Sequence, residues 1–136
     1  MKTPALVAVD ADPEKFAALF AEAAARGARV GWLDLAGAPA SRFESPAAEA
    51  GAAKAVAMAP GRVVAVKRVG GVPVLRDLLR EHFVGYALVL IANHDGWPRL
   101  TVERGTFLLQ IAPGRGRTLD AAALLDELAR PRHRAR

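Results

Sequence analysis

The sequence contains no cysteine. That excludes a disulfide scaffold, a thiolate metal site, a cysteine nucleophile and a thiol redox centre. Aromatic residues make up only 6% of the chain. Asparagine and glutamine occur once each, as Asn93 and Gln110. So few thermolabile amides suit a thermophile, and the abundance of Ala and Arg suits a GC-rich genome equally well. No apolar run approaches the roughly 18 residues of a membrane span, and the N-terminus lacks the apolar core of a secretory signal. The expectation is a soluble, cytoplasmic protein that makes no membrane contact. A Walker-type glycine-rich lysine loop is absent, and Ser41 and Ser45 lack the Gly-x-Ser-x-Gly elbow of hydrolases.

What is present is a chain of 136 residues that is 52% apolar and 24% charged. Its hydrophobic content is too high, and its net charge of +5 too small, for disorder. The length suits one core and one domain, expected over residues 1–130. Residues 131–136 are expected to form a mobile basic tail. Arg130, Arg132, Arg134 and Arg136 carry most of the excess charge, and without them the net charge is +1. The body is therefore not a basic surface by charge count alone.

Local patterns predict alternating strands and helices. Ala5–Val9 is an apolar strand candidate. Asp12 and Pro13 form an N-cap and first-turn pair, and Phe16, Leu19, Phe20 and Ala23 share one helical face. Gly27 stands where a left-handed helix cap belongs. A second strand is expected over 28–35, and an Ala-rich helix from Pro46 to about Met58, stopped by Pro60-Gly61. A third strand follows from Arg62 to Val69. A helix from Pro73 carries Leu75, Leu78, Leu79 and a packed His82, and a fourth strand runs from Tyr86 to Ala92. Arg99–Arg104 and Phe107–Ile111 read as strands too close to their neighbours for helical crossovers, hence an antiparallel meander. Pro113–Arg117 reads as a loop, with Thr118 capping a last helix. The fold class is therefore α/β: a three-layer α/β/α sandwich with a mostly parallel sheet (β-α-β-α-β-α-β), a C-terminal antiparallel hairpin and a final helix. A thioredoxin-like arrangement is the alternative.

Ligands of open parallel sheets bind beyond the carboxyl ends of the strands. The residues expected there are Asp10, Asp12, Asp34, Lys67, Arg68, Asn93, His94 and Asp95, and the loop from Ser41 to Ser45 is placed over them. Asp34 stands 24 residues after Asp10, at the position of a ribose-binding acid. With Arg26-Gly27-Ala28-Arg29-Val30 before it, this stretch resembles the first βαβ unit of short-chain dehydrogenases, which implies dinucleotide binding. The expected phosphate turn, Asp10-Ala11-Asp12-Pro13-Glu14, has no glycine, and no Tyr-x-x-x-Lys pair follows. Asp10-x-Asp12 also resembles the start of haloacid dehalogenases, without the Gly and the Thr or Val that follow there.

A divalent cation such as Mg²⁺ held by Asp10, Asp12 and Asp95, with His94 beside them, is a second reading. The same acids serve equally as a cap, a strand end and a turn. His94 is either a general base or an exposed loop side chain. A third reading is phosphate contact by Arg115, Arg117, Arg130, Arg132, Arg134 and Arg136, with little aromatic interleaving for base stacking. A fourth is association with a protein partner or a second copy, most simply as a homodimer, through the Ala-rich helix, Trp32 and Trp97. Two function classes stay open. One is a non-catalytic ligand- or partner-binding or assembly module. The other is a small metal- or nucleotide-dependent enzyme.

Overall fold

The computed structural model describes residues 3–10, 12–35, 54–67 and 74–134. The chain divides into two compact units, Met1–Ala36 with Leu79–Arg136, and Gly37–Leu78. The expected helix start at Ser45-Pro46, the loop Ser41 to Ser45, Arg68, the Gly70-Gly71 turn and Arg136 lie outside the described residues.

In the first unit β1 (Ala5–Val9) leads through a 3-10 turn at Pro13–Phe16 into α1 (Ala17–Ala25), then β2 (Val30–Asp34). Phe16 and Leu19 are fully buried, as the helical spacing requires. Gly27, at φ +68°, ends the helix, with its N–H on Ala24 O and that of Ala28 on Ala23 O. That left-handed cap is the conformation glycine adopts without a Cβ penalty.

In the second unit β3 (Lys54–Ala59) and β4 (Arg62–Lys67) form a two-stranded antiparallel ribbon around Pro60-Gly61. This corrects two expectations. Residues 54–58 are strand, not the end of an Ala-rich helix, and the predicted third strand belongs to this ribbon, not to the main sheet. Helix propensity of alanine yields here to pairing of Val56, Met58, Val63 and Val64 across a tight turn, with Gly61 at φ +80°. The unit boundary falls inside α2 (Leu75–His82). His82 is exposed, against the expectation of a packed side chain.

The first unit continues with β5 (Leu88–Ala92), β6 (Arg99–Glu103), β7 (Thr106–Ala112), β8 (Arg115–Leu119), α3 (Ala121–Leu128) and a 3-10 turn at Pro131–His133. The six strands are ordered β2-β5-β1-β6-β7-β8. β2, β5, β1 and β6 run parallel, and β6, β7 and β8 form the antiparallel end. The fold is thus α/β with a mostly parallel mixed sheet. β5 and β6 are parallel and flank β1, which corrects the expected meander at that step. β6 meets β1 only at its end, through Ala8↔Arg99 and Val9↔Leu100. Residues 93–98 therefore need only pass over the end of one strand, which a short loop can do. They include a cis peptide at Trp97-Pro98, and Pro98 O accepts from the N–H of Ala8 at 2.9 Å.

Two boundaries near the C-terminus also move. Residues 115–119 are a polar edge strand, not a loop. Asp120, not Thr118, caps α3, accepting from the N–H of Ala123 at 2.7 Å. Val7, Val9, Leu88 and Leu90 face Phe16, Leu19, Leu124 and Leu128 in the core, and Val89 and Ile91 are fully buried on the opposite face. Phe16 stacks on Phe107 at 6.1 Å and tilts against Trp32 at 5.8 Å. No described helix is long and apolar enough to cross a membrane.

β5 sits between β2 and β1, and Leu90 is opposite both Val7 and Trp32. Replacing Leu90 with Ala should lower unfolding free energy by about 2–5 kcal/mol, the range for a leucine cavity that cannot collapse. Chemical denaturation of the variant against the parent chain checks this.

Candidate functional site

At the carboxyl ends of β1, β2 and β5 the structure brings together several of the expected polar residues, and they bind one another. Arg99, the first residue of β6, reaches back over the end of β1. Its guanidinium is ion-paired with Asp10. It also donates to the carbonyls of His94 (2.7 Å) and Gly96 (3.4 Å), and lies 5.9 Å from the Trp97 ring centre. One side chain thus fastens the crossing loop to the end of β1. Asn93 adopts φ +59°, a conformation asparagine tolerates better than most residues. Its side-chain N–H donates to Asp34 Oδ1 at 2.7 Å, joining the ends of adjacent strands β5 and β2.

Of the other expected members in this unit, His94 takes part through its backbone carbonyl. Asp12 precedes the 3-10 turn as predicted, but its side chain makes no capping hydrogen bond. Asp95 is exposed in the loop. His94 is half-buried against Gly96, where a Cβ would stand 2.4 Å from its Nε2. Lys67 ends β4 in the second unit, so it does not stand at a strand end of the main sheet. Among the described residues no three His, Asp or Glu side chains gather as a metal-binding group. The acids proposed for Mg²⁺ are not gathered as such a group, and Asp10 is ion-paired with Arg99.

A second site lies at the other end of α3, where several arginines of the expected phosphate-contacting set meet Glu127, a residue the sequence patterns did not single out. Glu127 is 5% exposed, with Leu124, Leu125 and Leu128 on the same helix also buried. Its carboxylate accepts hydrogen bonds from Arg117, Arg132 and His133 and is ion-paired with Arg130. Arg117 of β8 reaches Oε2 at 3.3 Å and Arg130 reaches the same oxygen at 3.2 Å. Arg132 and His133 both reach Oε1, His133 Nε2 at 3.0 Å. The hydrogen bonds from His133 and Arg132 hold the Glu127 carboxyl at about 2, well below its usual value of 4.5. His133 is itself buried, at 7% side-chain exposure.

Arg117, Glu127, Arg132 and His133 wall an open cleft of about 640 Å³. Pro98, Leu109 and Ile111 supply apolar surface, while Arg115, Arg117 and Arg132 supply cations. Three guanidinium groups on one carboxylate leave a net charge of +2, before counting Arg115, which makes no ion pair among the described residues.

The segment expected to be a mobile tail is therefore tied down as far as it is described. Pro131–His133 is a 3-10 turn, and Arg134 forms an antiparallel bridge with Ala5. That bridge occupies the side of β1 which β6, pairing only at Ala8 and Val9, leaves open. Five of the six arginines expected to contact phosphate are thus placed: Arg117, Arg130 and Arg132 on Glu127, Arg115 beside them on β8, and Arg134 at its bridge with Ala5. The missed signal was a glutamate on the leucine face of a helix with arginines just beyond it.

The sequence matches neither a protein-family model nor a curated protein. Among solved structures, the fold is similar to that of Bacillus subtilis MobB, with a TM-score of 0.50 and 17% identity over 74% of this chain and 68% of that one. At that identity the likeness is one of fold.

The ion-pair cluster has a pH signature. Because its folded value lies below its ordinary one, the Glu127 carboxylate contributes stability that is complete above about pH 4.5 and is lost as pH falls toward about 2. Glu127→Gln should lower stability at neutral pH by about 1–3 kcal/mol and flatten that acid limb. Ending the chain at Arg130 should lower the melting temperature by several degrees, since it removes His133 and the Arg134 bridge. Melting curves from pH 2 to 7 read both effects.

Proposed function

We propose that this chain is a non-catalytic binding module whose ligand is anionic and seats in the arginine-walled cleft. The observation that carries this reading is the surplus of positive charge around buried Glu127, facing an open cleft with apolar surface. The carboxylate fixes the arginines in place, so an anion meets a preformed set of donors and little ordering entropy is lost on binding. Guanidinium groups suit carboxylate and phosphate ligands because they donate in a planar fork. At the strand ends, in contrast, Asp10 and Asp34 already have partners within the protein, which makes them less available for metal- or nucleotide-dependent chemistry.

Titration calorimetry with inorganic pyrophosphate and with citrate tests the reading. Both should bind, more weakly as salt rises. Arg117→Ala and Arg132→Ala should each weaken binding severalfold, while Arg62→Ala, in the second unit, should leave it unchanged. No heat with either anion, or equal binding in all three variants, overturns the reading.

Self-association is a second reading, favoured by the β3–β4 ribbon. Register places Met58 opposite Val63 and Val56 opposite Ala65, so these share one face. Val56, Met58 and Val63 are 58%, 84% and 64% exposed. A two-stranded ribbon is marginal alone, and a second copy covering this face would remove that apolar surface from water. Analytical ultracentrifugation should show a dimer that Met58→Lys converts to monomer; a monomeric parent chain rejects it.

A further inference from the structure

We propose that the ligand of the cleft is an extended acidic peptide that adds as a new strand to the free edge of β8. The proposal rests on the anion-binding reading and adds a backbone component to it. Among the described residues β8 is the last strand of the sheet and is paired on one side only, with β7. Residues 115–118 are all exposed, whereas the opposite edge strand, β2, is buried or half-buried over most of its length. An open edge presents a row of unpaired N–H and C=O groups that an extended chain can complete.

The side chains say which chain. Arg115 and Arg117 alternate with Gly116, so the two cations project from the same face at the two-residue repeat of a strand, about 7 Å. Acidic residues at alternate positions of an added strand fall opposite them, where opposite charges stabilise cross-strand pairing. Ile111, half-exposed in the cleft beside Pro98 and Leu109, offers apolar surface to a neighbouring side chain of the peptide.

The same features argue against two other occupants. A second β8 would set arginine against arginine, which disfavours pairing between copies. A nucleic acid would find phosphate contacts but no stacking platform, because the one aromatic ring among the described residues of the cleft wall, His133, is buried against Glu127.

Fluorescence anisotropy with a labelled peptide of about ten residues, alternating Glu and Val, tests the proposal. Two further peptides carry N-methyl groups on the odd or on the even residues, each blocking one hydrogen-bonding edge. The parent peptide should bind, and Arg115→Ala, which breaks no ion pair among the described residues, should weaken it severalfold. One methylated peptide should retain binding while the other loses about tenfold or more. Hydrogen exchange of residues 115–119 should slow in the complex. If both methylated peptides bind like the parent, the attraction is charge alone and strand addition is overturned. Strand addition also falls if pyrophosphate binds and no peptide does, which leaves the anion reading intact. If a single-stranded oligonucleotide of equal charge binds more tightly than the peptide, the ligand class is nucleic acid and the proposal fails. If neither peptide nor pyrophosphate binds, both readings fall together.

Discussion

The C-terminal third of the first unit depends on a single carboxylate. Glu127 projects from α3 and collects donors from β8, from the end of its own helix and from the turn beyond it. A buried charge left alone would be costly, and a buried charge with three hydrogen-bond donors and a further cation on its two oxygens has its hydration replaced. The geometry works in both directions. The carboxylate needs the arginines to stay ionised, and the arginines need the carboxylate to be held close together. What results is a cationic wall whose arginines share one anchoring carboxylate. The turn fixed in this way also delivers Arg134 to the side of Ala5.

The strand-end edge shows the opposite balance. There the polar groups are close to matched: Arg99 with Asp10 and two loop carbonyls, Asn93 with Asp34. Such matching suits a structural role. It closes the short crossing over β1, where a loop would otherwise leave carbonyls without partners at the edge of the core. A parallel sheet invites a ligand at this edge, and in this chain the edge is largely occupied by the protein's own side chains.

Much of the fold was legible in the sequence, for physical reasons that can be named. β1, β5 and α1 are set by runs and spacings of large apolar residues, and Gly27 marked its helix end. β3 was misread because Ala55, Ala57 and Ala59 favour helix locally, while the pairing that overrides them involves residues after the turn. β8 was missed because an edge strand has no need of apolar residues; Arg-Gly-Arg-Thr looks like a loop until β7 lies beside it. The site was legible only as a set of separate residues. Asp34 and Asn93 were both singled out, yet their contact depends on β2 and β5 being neighbours, which strand order alone determines. Arg99 drew no notice, since a cation at the start of a strand signals nothing until β1 ends next to it.

The topology also bears on how the chain is made. β1 leaves the ribosome ahead of the strands that flank it, and β5, β6 and Arg134, which complete it on its two sides, all follow much later in the chain. An apolar strand must therefore wait, unpaired, while the intervening residues are made. Apolar surface is exposed to wrong partners during synthesis, and the core closes only once Leu128 has emerged. This order leaves the nascent chain, more than the finished one, open to wrong pairing.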